Sequence, residues 1–362
     1  HLSIRRQRQM CIRDRLYARQ IDDADFNLAS NDYPGVMAHF GAEVPEVQAQ
    51  PDPNLIADIW PPTADDNCVI FMDQPADMLP GPHCVWGDPE AETTVVLFGG
   101  SHSEPWLIPL DQLGKEHGFK VMPMVRQSCP LILDDLDTVS PECAEWSRLA
   151  FDRIIEMNPD LTISTATRPE GRAGEGSPGP DMVPSSYATV WEELQANDIP
   201  FLGLRDNPWV FSREGQHMDP NECLIAGNDF EACSTLRDTV YGDVDPSVEY
   251  LFPENKQWGL DTADWYCDDE FCPPIIGNVY VYRDQNHVSN AYAATTAPLL
   301  WAKLQEVFTA LGTQVDGLED GPALDPEQGV PPGKQENGVD AGDVGKPSVE
   351  ANPDLLPELG DQ

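Results

Sequence analysis

The run Thr94-Val-Val-Leu-Phe98 is unbroken β-type sequence that stops abruptly in Gly99-Gly100-Ser101 and then opens into a helical pattern. A short strand with no polar alternation is one buried on both faces, as in a parallel sheet covered by helices. Such a strand delivers the residue that follows it to the C-terminal edge of the sheet, where α/β folds place their ligands. The unit recurs. Lys120–Val125, Leu161–Thr165 and Phe201–Leu204 read as further strands, and 279–282 as the one that closes the β pattern. Residues 104–117, 143–157 and 187–197 read as intervening helices, and 287–311 contains the last one. In 143–157 the apolar residues Trp146, Leu149, Ala150 and Ile154 share one helical face. Strands alternating with helices predict an α/β fold, a three-layer α/β/α sandwich with a mainly parallel sheet.

Two short motifs carry the chemistry. Ser101 follows the first strand, and Asp284-Gln-Asn-His287 precedes the last helix. Nucleophilic acyl transfer needs a hydroxyl, a base and a carboxylate that orients the base, brought together by the fold from distant parts of the chain. Ser101, His287 and Asp284 supply those three types in that order. Histidine, with an ordinary pKa of about 6.5, suits proton transfer near neutrality. Competing structural readings exist for each residue. Ser101 is also a fitting helix N-cap, and Asp284 and His287 are placed to cap the terminal helix. The glycines let the chain turn sharply, and free amides at a helix start suit a developing oxyanion. Gly100, the Ser101 amide and His102 are therefore the oxyanion and pocket candidates, with hydrogen bonding inside the turn the plainer role for His102. Arg168 to Pro184 is a Gly/Pro loop on the same edge. Arg205-Asp206-Asn-Pro208 also reaches that edge, and an Arg–Asp pair bracing its loop is the economical account of it. Trp86, Trp106 and Trp209 flank these loops, with core packing as the default and sugar stacking as the alternative. His83, His117 and His217 have no recognisable partners in the sequence.

The charge balance excludes some functions. Asp and Glu total 63 against 21 Lys and Arg, for a net charge of -42 over 362 residues. A field of that sign repels phosphate backbones and anionic headgroups, so no nucleic-acid partner is expected. No apolar run approaches the ~18 residues of a membrane span, so none is expected within this chain. Of the nine cysteines, all but Cys11 fall into sequence-local couples: Cys68–Cys84, Cys129–Cys143, Cys223–Cys233 and Cys267–Cys272. None has the Cys-x-x-Cys form or a matched histidine of a metal site, so disulfides in an oxidising compartment are the expectation, with no metal and no cofactor.

Residues 1–15 hold a large share of the arginines of an otherwise acidic chain and lack the apolar core of a signal peptide. They read as non-native sequence. Residues 16–66 read as an extended Pro- and Asp-rich linker, 67–311 as the catalytic domain, and 312–362 as a disordered acidic tail.

Across about 30–311 the chain resembles the SGNH hydrolase superfamily, and most closely the extracytoplasmic SGNH domain at the C-terminus of bacterial acyltransferase-3 membrane proteins. The resemblance rests on Tyr33-Pro-Gly, Cys84-Val-Trp-Gly-Asp88-Pro, Gly99-Gly-Ser-His-Ser-Glu-Pro-Trp106, Gln127-Ser-Cys-Pro130, Cys143-Ala-Glu-Trp146, Arg205-Asp-Asn-Pro208 and the stretch from Cys272 through His287. It implies a flavodoxin-like sheet, Ser101 as nucleophile with His287 and Asp284, and loops braced by disulfides. It also implies a carbohydrate substrate, O-acylation of envelope polysaccharide, and a membrane-embedded acyltransferase domain as partner, tethering the domain outside the cytoplasm. Two departures stand out. The family usually has Asp where this chain has Gly100, and the Asn that often serves as a second oxyanion donor is missing from Ser164-Thr-Ala-Thr-Arg168. A carbohydrate esterase using water as acceptor, and a glycan-binding module that has lost activity, are the alternative readings.

Overall fold

A computed structural model describes residues 31–64, 66–171 and 176–318. Six strands form the central sheet: β1 (Trp86–Gly87), β2 (Thr94–Gly99), β3 (Lys120–Val125), β4 (Leu161–Thr165), β5 (Phe201–Leu204) and, after the short β6 (Thr235–Leu236), β7 (Gln257–Leu260). Their spatial order is β1-β3-β2-β4-β5-β7, parallel except for β1 against β3. Without the antiparallel edge strand β1 this is the flavodoxin-like order 2-1-3-4-5, whose switch point lies between β2 and β4. Ser101 leaves the sheet at that point.

Among the described residues, seven α-helices accompany the sheet: α1 (Leu107–His117), α2 (Pro141–Met157), α3 (Ser185–Ala196), α4 (Pro220–Ile225), α5 (Ala263–Tyr266), α6 (Asn290–Thr295) and α7 (Ala297–Leu311). Alternation along β2 explains the three layers. Val95 and Leu97 pack with Leu107 and Leu110 of α1 and Leu304 and Phe308 of α7. Val96 and Phe98 face the other way, into Trp146 and Ile154 of α2 and Val190 and Leu194 of α3. Each such aliphatic or aromatic side chain, fully buried, stabilises the fold by about 1.5–3 kcal/mol. Local sequence sets the helix ends. Ser140 caps α2 by accepting from the Cys143 amide, with Pro141 in the first turn and left-handed Asn158 at the end. Gly118 stops α1 at φ 73°.

Several boundaries differ from the sequence expectation. The closing parallel strand is β7, and 279–282 lies outside the main sheet. There, β10 (Val279–Tyr280) makes a two-residue antiparallel ladder with β9 (Ile275–Ile276). Its Val279, Val281 and Tyr282 are buried in the core as a hairpin, which produces the same alternation as a strand. β7 is masked in the sequence by polar Gln257, whose amide is satisfied by the Trp191 carbonyl at 2.7 Å. The helix expected over 104–117 begins as a 3-10 turn at Glu104–Trp106 around Pro105. The final helix is divided into α6 and α7 at Thr296. A further ladder joins β6 to β8 (Phe271–Cys272).

From residue 31 to 64 the lead-in is docked on the domain, where a linker was expected. Val36 and Ile56 are fully buried, and Gly35 and Gln50 exchange backbone hydrogen bonds with the 277–280 hairpin. Residues 312–318 also lie against the domain, with Asp316 donating its amide to the His117 carbonyl. The stretch 1–15, residues 16–30 of the expected linker and the tail beyond 318 lie outside the described residues. Four disulfides, Cys68–Cys84, Cys129–Cys143, Cys223–Cys233 and Cys267–Cys272, close loops of 5 to 16 residues. Among the described residues no helix is long and apolar enough to cross a membrane.

Candidate active site

Gly99 ends β2 at φ 124°, and a Cβ there would stand 2.5 Å from Ser103 Oγ and 2.9 Å from Ser164 Oγ. Only glycine fits both that backbone and that gap. Gly100 differs, because a Cβ would meet Cys129 and Pro130 at 3.5 Å or more, ordinary contact distance. The turn formed here does not depend on an acidic side chain at position 100.

The Ser101 hydroxyl lies 2.8 Å from His287 Nε2. His287 Nδ1 is 2.9 Å from both Asp284 oxygens, and Asp284 also accepts the Asn286 and His287 amides. A carboxylate can only accept, so Nδ1 carries the proton and Nε2 receives the serine O–H. The loop carrying both residues is pinned by the Arg283 amide bonding the His287 carbonyl and by a bridge from Tyr282 to Val288. Neither residue caps the terminal helix, since Ser289 does so through the Tyr292 amide. Nor is Ser101 an N-cap, because the 3-10 turn that follows starts after Ser103. Burial alone would push the Asp284 carboxyl up, but the His287 hydrogen bond and nearby Arg283 outweigh it and hold it well below the usual carboxylate range. Burial lowers the His287 pKa, opposed by the bond to Asp284 and assisted by neighbouring His102. The imidazole is thereby neutral, and competent as a base, further into the acid range.

Ser101 opens on a cleft of about 60 Å³ lined by Gly100, Ser128, Pro130, Thr167, Tyr187 and Trp209, among others. That is room for roughly four waters or a group of like size. Burial pushes the Tyr187 hydroxyl up to about 12, so it stays a neutral wall. His102 lines the same cleft, with Nδ1 2.9 Å from Asp206 Oδ1 and its ring stacked on Trp209 at a centroid distance of 5.0 Å.

This corrects the reading of the Arg205-Asp206 loop. Arg205 is buried and forks to Asp181 at 2.8 and 3.0 Å and to Asp261 at 3.0 and 3.2 Å. Asp206 turns away from it, toward His102 and Trp209 Nε1. Trp106 belongs to the core and Trp86 packs at its margin, while Trp209 is buried behind His102. His117 stacks on Trp301, and His217 Nε2 is 3.0 Å from the Gly176 carbonyl. Where the Asn was sought after β4, Thr165 and Thr167 line the cleft, and Thr167 Oγ1 accepts the Asp206 amide.

Sequence reasoning missed a support behind the serine turn. Glu104 is buried and accepts from Thr63 of the lead-in, and burial raises its pKa. Trp60 covers Arg283, whose guanidinium sits 4.4 Å from the ring centre and whose Nε lies 3.5 Å from Asp284. Thr63 and Trp60 lie in irregular sequence, where no periodicity announces a contact. Cys68, His83 and Cys84 cluster within 4.8 Å, but the two sulfurs are joined and offer no thiolate to a metal.

The model of the SGNH domain that is fused to AT3 domains matches residues 67–302. Among solved structures, the chain is similar to the periplasmic domain of a lipopolysaccharide acetyltransferase from Salmonella ser. Paratyphi A, at 10% identity and a TM-score of 0.40, covering 62% of this chain and 84% of that one. Comparison with curated proteins gives no match. The parallel sheet, the serine at its switch point and a family match over most of the described residues lead to one assignment: the chain belongs to the SGNH domains of the type fused to AT3 domains, a family of esterases and acyltransferases.

Proposed function

We propose that the chain is an extracytoplasmic Ser-His-Asp acyl-transfer domain that O-acylates, typically O-acetylates, a cell-envelope carbohydrate. The observation that carries the reading is the continuous chain of hydrogen bonds from Ser101 through His287 to Asp284. In the first half-reaction Ser101 Oγ attacks the acyl carbonyl while His287 Nε2 takes its proton. Asp284 stabilises the imidazolium, which then returns the proton to the leaving group. The acyl group is left as an ester on Ser101. In the second half-reaction His287 takes the proton of a sugar hydroxyl, the new ester forms, and Ser101 leaves with that proton. The Ser101 amide is the assigned oxyanion donor, beside Gly100. The fusion that defines the family supports a membrane-embedded acyltransferase domain as the source of the acyl group. The small cleft favours a short acyl chain. A carbohydrate esterase differs only in accepting water, which reaches a His287 side chain that is 20% exposed. The 2.8 Å contact between Ser101 and His287, made with Gly100 in the turn, argues against an inactive glycan-binding module.

The test is covalent labelling. A fluorophosphonate should modify wild-type protein at Ser101 and leave Ser101→Ala unlabelled. Labelling that persists in the variant removes the assignment.

A further inference from the structure

Two Asp–His pairs, not one, stand beside Ser101: His287 of the first bonds its hydroxyl, and His102 of the second lines the cleft. The second is Asp206–His102. Asp206 Oδ1 accepts the Asn207 amide at 3.0 Å, and Oδ2 accepts Trp209 Nε1 at 3.2 Å. A carboxylate that gathers donors fixes the proton of His102 on Nδ1, at 2.9 Å. Trp209 stacks on the ring face at 25°, so the side chain is held both by its edge and by its face. Its other nitrogen, Nε2, is buried and has no hydrogen-bond partner among the described residues. A buried polar atom left unmatched is costly, and in a cleft it marks a place that a ligand fills.

What fills it follows from the tautomer. With the ring proton directed at Asp206 from Nδ1, the imidazole presents a lone pair at Nε2, and the partner of that lone pair is a donor. The His102 and His287 rings are 5.0 Å apart, so a donor at His102 Nε2 sits next to the hydroxyl held by His287. The acceptor hydroxyl already gives its proton to His287. We infer that His102 Nε2 accepts a hydrogen bond from a second hydroxyl of the acceptor, next to the one being acylated, so that His287 and His102 together select a vicinal diol. His102 is a specificity-determining residue in this scheme. It transfers no proton, and the bonds made and broken are those of the second half-reaction. A simple alcohol or water leaves Nε2 unmatched, which is how the site favours transfer to a sugar over hydrolysis.

The inference rests on the acyl-serine reading, and the experiment separates the two. With p-nitrophenyl acetate as donor, acceptors compete with water for one acyl-enzyme, so defects in acylation cancel from the transfer-to-hydrolysis ratio. Wild type should give a higher ratio with a vicinal cyclohexanediol than with cyclohexanol. His102→Leu should lower the diol ratio about 3- to 10-fold, the effect of one hydrogen bond, and leave the cyclohexanol ratio in place. His102→Gln, which keeps an acceptor oxygen, should recover part of the preference. A diol ratio that is unchanged, or that falls in step with cyclohexanol, overturns the inference. If His102→Leu does not fold, His102→Gln and the wild-type preference decide, and wild type without a diol preference overturns it equally. Turnover of p-nitrophenyl acetate that survives undiminished in Ser101→Ala instead brings down the acyl-serine reading and this inference with it.

Discussion

Replacing Asp284 with asparagine keeps the shape of the loop and removes one charge, which makes the size of the effect calculable. In the transition state His287 is positively charged and 2.9 Å from Asp284 Oδ1. At an effective dielectric constant of about 20, that pair is worth about 6 kcal/mol. The side chains are 20% and 27% exposed, so water recovers a minor part of the loss. An asparagine amide can also donate to Nδ1, which moves the imidazole proton to Nε2 and blocks acceptance from Ser101. The expected fall in kcat/KM for p-nitrophenyl acetate is about 10³- to 10⁴-fold, or about 4–5.5 kcal/mol at 1.36 kcal/mol per decade. The Asn286 and His287 amides can still bond the carbonyl oxygen of the new side chain in the same loop, so thermal unfolding should shift by no more than a few degrees. A loss below about 10-fold in a folded Asp284→Asn protein would refute the role given to the carboxylate.

The remaining predictions concern pH and stability. Because burial lowers the His287 pKa, the neutral base persists below the ordinary value. The acid limb of kcat/KM should therefore fall with a midpoint below about 6.5, and a midpoint above that value would contradict the burial argument. Arg205→Met strands the buried carboxylate of Asp181, while half-buried Asp261 can turn to water. It should cost about 3–5 kcal/mol in urea unfolding, and adding Asp181→Leu should restore much of that. Gly99→Ala meets two hydroxyls at 2.5 and 2.9 Å, whereas Gly100→Ala meets only ordinary contacts. The first should cost at least about 1 kcal/mol more than the second, and equal costs would show that the turn is softer than its contacts imply.

Much of this was legible in the sequence because it is local. β2 announces itself by a β-branched run, and Ser101 by the glycines that turn the chain after it. The order of Ser101 and Asp284-x-x-His287 is meaningful only once a parallel sheet is assumed, since that sheet alone returns residue 287 to the edge where residue 101 emerges. The cysteine couples were readable from their short separations. What escaped was either polar or non-local. β7 carries Gln257 and Gly259, which break the apolar signature of a buried strand, and its polar amide is matched only by a carbonyl on α3. The Asp206–His102 pair spans 104 residues, and Arg205 beside it misdirects the eye toward a neighbour it does not contact. The lead-in has few periodic elements, so nothing in it foretells that Thr63 reaches Glu104 or that Trp60 covers Arg283.

The central claim, an acyl group carried on Ser101, is tested most directly by quenching the reaction with p-nitrophenyl acetate during the burst and mapping the digested protein by mass spectrometry. The peptide containing Ser101 should carry one acetyl group, at a level that matches the burst, and Ser101→Ala should carry none there. Turnover at the wild-type rate with no acyl group on Ser101, or with the group on another residue, would contradict the account.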